Sequence, residues 1–354
     1  MLEIFFAFLL AFILTYGLMP MVIRVSRIYG MMDQENDRAS HIGAIPSLGG
    51  ISIFIGMIFA FALCYPLGLS DEFRFLLLGL TVIFLVGARD DLDPLAPFAK
   101  LLGQLAAVIL FVAFADIRLT SLYGLFDIHE LSHGLSTFLS VLVYLFLINS
   151  YNLIDGINGL ASTTVILATA FFGVWFYHTG IYSYSLLSFS VCGAVLAFLK
   201  YNITPAQIFM GDTGSLLLGA ICTVLLIQFL EYNESLISHS YYFSAAPGIA
   251  LSIVILPVFD TLRVFLLRMA KGISPFTPDR NHIHHLLLRV GLSHMQATSL
   301  LLLVNLAFVI IAIQWDTIGA FWLITGQLVL ATGLTTILYT ILFLRTRAIS
   351  RSTR

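Results

Sequence analysis

Residues 213–231 read TGSLLLGAICTVLLIQFLE, an apolar run with no charge before Glu231. A helix needs roughly 20 such residues to cross a bilayer, so the stretch reads as a membrane span. Working outward, comparable runs lie at roughly 2–23, 47–68, 73–89, 100–116, 135–152, 160–178, 184–200, 245–268, 296–313 and 318–344. Together they predict about eleven spans. The chain is 59% hydrophobic and 10% charged, with mean hydropathy +0.99, whereas a soluble domain carries about a quarter charged residues. The expected fold class is all-α, a polytopic membrane helix bundle forming a single integral-membrane domain over 1–354. Continuous rather than alternating apolar runs exclude an outer-membrane barrel. Disorder, a disulfide scaffold and a DNA-binding domain are excluded by composition, and no nucleic-acid partner is expected. The first run has neither a basic n-region nor an A-x-A cleavage site, so it is expected to be a spanning helix and not a cleaved signal. Cys64, Cys192 and Cys222 lie in apolar runs without C-x-x-C spacing and are expected to be buried packing residues with no disulfide.

Basic residues give the orientation. All but Arg74 and Arg118 of the 17 Lys and Arg residues fall on one set of loops and rims. By the positive-inside rule that set is cytoplasmic, which puts the N-terminus outside and the C-terminus in the cytoplasm. Trp175, Trp315 and Trp322 then fall near the outer interface. Outer acids such as Asp71, Glu72, Glu130 and Glu234 have no Gly-rich or His-rich neighbours and read as solvated loop residues.

The inner acids sit in motifs. Gly87-Ala-Arg-Asp90-Asp91-Leu-Asp-Pro94 ends the third span and leads through Lys100 into the fourth. Adjacent carboxylates at the hydrocarbon boundary are costly unless a cation pairs with them, and a divalent metal or a lysine would do so. Asn149 to Leu160 (NSYNLIDGINGL) interrupts the apolar pattern with two glycines and several polar side chains. Non-helical backbone at membrane depth lines a cavity or packs in protein. Before span eight, Phe209-Met-Gly-Asp212-Thr-Gly-Ser215 offers a glycine-rich helix start for phosphate, where Asp212 either caps the helix or holds a metal. The long inner loop from Lys271 to Met295 carries Arg280, His282, His284 and His285, a set suited to phosphate oxygens, with a solvated loop and a zinc site as the other readings. A fifth element, Asp33 to Gly50, holds Arg38 and His41, and its Gly49 and Gly50 allow close backbone approach.

All five elements share one membrane face under an orientation taken from Lys and Arg alone. Anionic substrates would be repelled by Asp90, Asp91, Asp155 and Asp212 without a cation. Mg²⁺ suits that donor set best, with Mn²⁺ as the alternative.

The motifs IPSLGG (45–50), DDLDPL (90–95) with Lys100, NLIDGINGL (152–160), FMGDTGS (209–215) and HIHHLLLRVGL (282–292) resemble, in order, those of the polyprenyl-phosphate N-acetylhexosamine-1-phosphate transferases. The HIHH form is similar to the branch that uses a UDP-N-acetylhexosamine. The resemblance implies transfer of a sugar 1-phosphate, most commonly GlcNAc-1-phosphate, from a UDP-sugar to undecaprenyl phosphate, with release of UMP. It places the reaction at the cytoplasmic face of the bacterial inner membrane and at the start of lipid-linked surface polysaccharide synthesis. It also implies roles. Asp212 would be the principal Mg²⁺ ligand, Asp90 and Asp91 the catalytic pair near the acceptor phosphate, and Lys100 an assistant there. Asn152 and Asp155 would line the diphosphate site, Phe209 would stack on uracil, and Asn158 would bond its edge. Arg280, His282, His284 and His285 would hold diphosphate or sugar. Many relatives carry Asp where this chain has Asn158, which leaves its partner open.

The alternatives are a phospho-N-acetylmuramoyl-pentapeptide transferase-like enzyme and a lipid-linked-sugar transporter or flippase. A transporter more often carries midplane ionisable residues and repeat symmetry. The expected partners are the UDP-sugar, undecaprenyl phosphate and membrane lipids, and a homodimer is one oligomeric state open to the bundle.

Overall fold

The computed structural model describes residues 1–33, 45–66, 68–274, 277 and 281–352. Helices run α1 Leu2–Ile28, α2 Gly49–Cys64, α3 Asp71–Leu92, α4 Pro97–Ile109, α5 His133–Ile154, α6 Leu160–His178, α7 Tyr182–Asn202 and α8 Gly211–Ser235. They continue as α9 Ala246–Ile253, α10 Ile255–Ala270, α11 Ile283–Arg289, α12 His294–Gln314 and α13 Ala320–Ser352. A two-residue antiparallel pair joins Met32 and Asp33 to Pro46 and Ile45.

Every predicted span falls on helical residues, the one at 245–268 on two helices, α9 and α10. Among the described residues eight helices are long and apolar enough to cross a membrane, α4 counting together with the π-helical turn Leu110–Phe114 that continues it, or nine if the α9–α10 pair, bent by 81°, is taken as one span. The remaining two fall short of that standard. α2 has only 16 residues, and α3 carries Asp71, Glu72 and Arg74 at one end and Arg89, Asp90 and Asp91 at the other.

α8, the stretch quoted at the outset, is the centre of the bundle. Every residue from Thr213 to Leu230 is buried, as an all-round apolar helix requires. α2, α3, α5, α6 and α9 pack around it, while α1 lies against α2 and α7.

The span expected as continuous over 245–268 is instead broken at Val254. Pro257 has no N–H, so the Ile253 carbonyl loses its helical partner. The buried Asn305 of α12 fills the gap, its Nδ2 donating to the Ser252 oxygen at 2.8 Å and the Ile253 oxygen at 3.4 Å. A kink inside a membrane protein is tolerated where a neighbouring helix satisfies the freed groups.

Glu72 also departs from its expected solvated state. At the start of α3 it accepts from the Tyr184 hydroxyl of α7 and from Gln228 of α8 at 3.3 Å. The packing of α3 on α7 and α8 draws the carboxylate inward, where these donors replace water. Nearby, Glu231 accepts from Thr120 N at 2.8 Å, from its hydroxyl at 2.7 Å, and from the Tyr123 hydroxyl. Cys192 and Cys222 are buried and Cys64 partly so, all as free thiols.

Candidate active site

At the other end of the bundle the starts and ends of α3, α4, α5 and α8 converge. Gly87 permits this: a β-carbon there would lie 2.6 Å from Thr213 Cα and 2.5 Å from the Asp212 carbonyl oxygen. The segment before α2 joins by backbone pairing. Phe209 N donates to the Pro46 oxygen at 2.7 Å, Gly49 N to the Phe209 oxygen at 3.0 Å and Gly50 N to the Met210 oxygen at 3.0 Å. What approaches Gly49 closely is the Phe198 ring and the Phe209 oxygen, and what approaches Gly50 is the backbone of Thr213 and Gly214 at the start of α8.

The two adjacent carboxylates have different partners. Asp90 Oδ1 accepts from Leu95 N at 2.6 Å, and its Oδ2 lies 3.0 Å from Lys100 Nζ. Lys100 also donates to Asp212 Oδ2, so one ammonium bridges two carboxylates. Asp91 instead turns to α8. Its Oδ1 accepts from Asp212 N at 2.8 Å, and its Oδ2 accepts from Thr213 N at 2.9 Å and the Thr213 hydroxyl at 2.5 Å. A carboxylate at a helix start that takes its free N–H groups is a cap, here supplied from another helix. The reading of Asp212 as an N-cap is thereby corrected, because no side chain of α8 caps its own start. Asp212 Oδ1 accepts from Asn152 Nδ2 at 2.5 Å, and the same amide donates to Ser215 Oγ at 2.8 Å. Gln104, one turn after Lys100 on α4, and Asn149, one turn before Asn152 on α5, pair amide to amide at 2.8 and 3.3 Å. Gln104 carried no motif signal.

Asp155 follows α5 in the non-helical loop. Burial, then the charges of Asp212 and Asp91, push its carboxyl up to about 7. Gly156 beside it receives the ring of His284, whose Cε1 would lie 2.9 Å from a β-carbon at Gly156. His284 is buried, and neither ring nitrogen has a hydrogen-bond partner among the described residues. Burial, helped by His285, pushes this imidazole down to about 3. His285 lies 4.3 Å from it, centroid to centroid.

His282 Nδ1 lies 3.1 Å from Oδ2 of Asp260. Asp260 on α10 was missed by the motif reading, although an acid inside an apolar span is itself a signal. The zinc reading finds no support, since among the described residues no three His, Cys, Asp or Glu side chains group to enclose a metal.

Asn158 is buried and tied into the fold. Its Nδ2 donates to the Thr204 hydroxyl at 2.9 Å, and its backbone oxygen accepts from Thr298 at 2.8 Å. Among the described residues no bond to its Oδ1 is seen. Phe209 is half-buried. Arg280, Arg38 and His41 lie outside the described residues.

Mg²⁺ asks for less than three acidic or imidazole ligands, because waters and substrate phosphate complete its shell around one or two carboxylates. Asp90 and Asp212, with the Asn152 amide beside them, fit: they are hard oxygen donors around a point that already draws the Lys100 ammonium. Chemically the arrangement is a cluster of carboxylates gathered around one ammonium, Lys100.

The Glycosyl transferase family 4 model matches residues 73–230, which contain Asp90 through Asp212. A probable undecaprenyl-phosphate N-acetylglucosaminyl 1-phosphate transferase of Bacillus subtilis (strain 168) is 31% identical over 88% of this chain and 85% of its own length. The chain belongs to this glycosyl transferase family. Undecaprenyl-phosphate alpha-N-acetylglucosaminyl 1-phosphate transferases of Yersinia pestis and Salmonella typhi are 30% and 32% identical. They cover 85% and 80% of the chain, and it covers 80% and 75% of theirs. This family member is a multi-pass, all-α membrane protein.

Proposed function

We propose that this transferase moves GlcNAc-1-phosphate from UDP-GlcNAc to undecaprenyl phosphate, releasing UMP, at the cytoplasmic face of the inner membrane. The observation that carries the reading is the Asp90–Lys100–Asp212 bridge at one end of an apolar bundle. The names of the relatives supply the acceptor and the sugar. Sidedness follows from the clustering of basic residues, and α2 and α3 complete eleven crossings.

A phosphate monoester is mostly dianionic at neutral pH, so the acceptor needs little deprotonation. The difficulty is to bring two anionic phosphates together. Asp212 with Asp90 would hold Mg²⁺, which when bound neutralises phosphate charge. Lys100 exchanges a carboxylate for an acceptor phosphate oxygen. Asp90, with Oδ2 on Lys100, orients the acceptor oxygen for attack on the sugar-linked phosphorus in one step. Asp91 holds the start of α8 and thus the place of Asp212, which makes it a positioning residue and not half of a catalytic pair. Asn152 and Asp155 border the diphosphate, and the HIHH turn receives the donor, where His284 stays neutral and offers its unpaired ring nitrogens. Phe209 stacks on uracil and Asn158 Oδ1 accepts from its N3–H.

The test is UMP release by purified protein given Mg²⁺, undecaprenyl phosphate and a panel of UDP-sugars. Release with UDP-GlcNAc that stops on chelation supports the reading. Turnover without divalent ions, or no UMP release with any UDP-sugar of the panel, sinks it.

A further inference from the structure

Asp260 is buried to 4% exposure inside the broken ninth span, and no step above uses it. A buried charge is costly unless paired and fully bonded. Its Oδ1 lies 2.7 Å from Arg263 Nη2, one turn along the same helix. The other contacts reach a separate segment. Oδ2 lies 3.1 Å from His282 Nδ1, and Ile283 N donates to both oxygens at 3.1 Å. Arg263 reinforces the same segment, donating from Nη2 to the Asn281 oxygen at 2.5 Å and from Nη1 to the Tyr339 hydroxyl of α13 at 2.7 Å. Neutralising Asp260 alone would need only Arg263. The bonds to residues 282 and 283 instead fix where the HIHH turn begins.

A carboxylate accepting Nδ1–H sets both the tautomer and the rotation of an imidazole, leaving Nε2 as the working nitrogen. The ring of His284 lies near-parallel to that of His282, 11° between planes at 5.8 Å, and rests on Gly156 next to Asp155. Asp260 is therefore joined through one short turn to the loop bordering the carboxylate cluster.

We propose that Asp260 is a positioning residue for the donor: it holds His282 and the start of α11 so that the HIHH turn meets the nucleoside diphosphate, while the acceptor side is untouched. The inference rests on reading that turn as the donor contact.

The test is steady-state kinetics on the purified full chain with UDP-GlcNAc and undecaprenyl phosphate, for Asp260→Asn, Asp260→Glu, His282→Ala, His285→Ala and the Asp260→Asn/His282→Ala double variant. Asp260→Asn should raise the UDP-GlcNAc KM about tenfold, as expected for a lost charged hydrogen bond. The undecaprenyl phosphate KM should hold within about twofold, and the double variant should be no worse than His282→Ala, because both remove one shared contact. Asp260→Glu keeps the carboxylate and should give a smaller rise, again confined to the donor. If Asp260→Asn does not fold, the donor-only rise in Asp260→Glu decides. Equal rises in both KM values, or fully additive losses in the double variant, overturn the inference and leave Asp260 as a helix-packing charge. A raised donor KM in the histidine variants alone also overturns it, while the donor reading stands. An unchanged donor KM in both histidine variants overturns the donor reading and this inference together.

Discussion

Replacing Asp91 with Ala separates scaffold from chemistry at the paired aspartates. The change removes the only described acceptor for Asp212 N, Thr213 N and the Thr213 hydroxyl, bonded at 2.8, 2.9 and 2.5 Å. Thr213 is fully buried, so water replaces little of what is lost. A buried polar group left unpaired costs about 1–3 kcal/mol. The three groups share one carboxylate and relax together, and removing an acid near Asp155 and Asp212 relieves some repulsion. The net loss should be about 3 kcal/mol, comparable with breaking a buried charged contact. For a bundle of this size that lowers the apparent Tm by on the order of 5–10 °C, read from thermal unfolding of the detergent-purified protein. Asp91→Asn, which keeps an acceptor oxygen, should lose about half as much. Asp90→Ala should shift the Tm less, since among the described residues only one backbone N–H, that of Leu95, donates to it. If Asp91→Ala melts with the wild type yet loses activity, Asp91 acts on substrate and the scaffold argument fails.

Asp212→Asn should keep its Tm, because Asp91 holds the helix start, yet lose activity at least about a hundredfold, near 2.7 kcal/mol of transition-state stabilisation; near-normal turnover would show that its carboxylate does no chemistry. Asn158→Leu should raise the UDP-sugar KM roughly tenfold with kcat little changed, while Thr204→Val, which removes only the internal bond, should not; identical effects of the two would mark Asn158 as a structural tether. His284, whose folded pKa of about 3 lies below its ordinary 6.5, binds its proton first in the unfolded chain. Stability should therefore fall as pH drops from 6.5 toward 3, by up to about 1.4 kcal/mol per pH unit, and unfolding of His284→Phe should show a shallower slope; an equal slope assigns the acid sensitivity elsewhere. In a Cys-free variant, cysteines at Ser235 and Ser352 should react with an impermeant reagent from opposite sides, Ser235 from outside, and labelling of both from one side contradicts the eleven crossings.

The sequence discloses the spans and the face of the site because both follow from single-residue properties. Apolar run length marks each helix, and Lys and Arg mark one rim. The break at Val254 was hidden because it depends on two distant facts, the missing N–H of Pro257 and the Asn305 amide that satisfies the Ile253 carbonyl. Glu72 was misread for a similar reason: its donors, Tyr184 and Gln228, lie 112 and 156 residues away. Asp260 gave a visible signal, an acid within VILPVFDTLRV, but no local motif pointed to its partner.

The division between Asp90 and Asp91 shows why motif adjacency does not assign roles. Successive residues on a helix point about 100° apart, so neighbouring carboxylates at the end of α3 leave it in different directions. One direction leads to α4, where Lys100 and Leu95 N wait. The other leads to the first turn of α8, whose N–H groups have no helical acceptors. Gly87, one turn earlier, brings α8 within reach of the second direction only by lacking a side chain. The same close approach that lets Asp91 cap α8 delivers Asp212 to Lys100. A larger residue at position 87 would therefore disturb cap and cluster together, which makes the paired acids one unit: the member that caps α8 sets the place where the other shares Lys100 with Asp212.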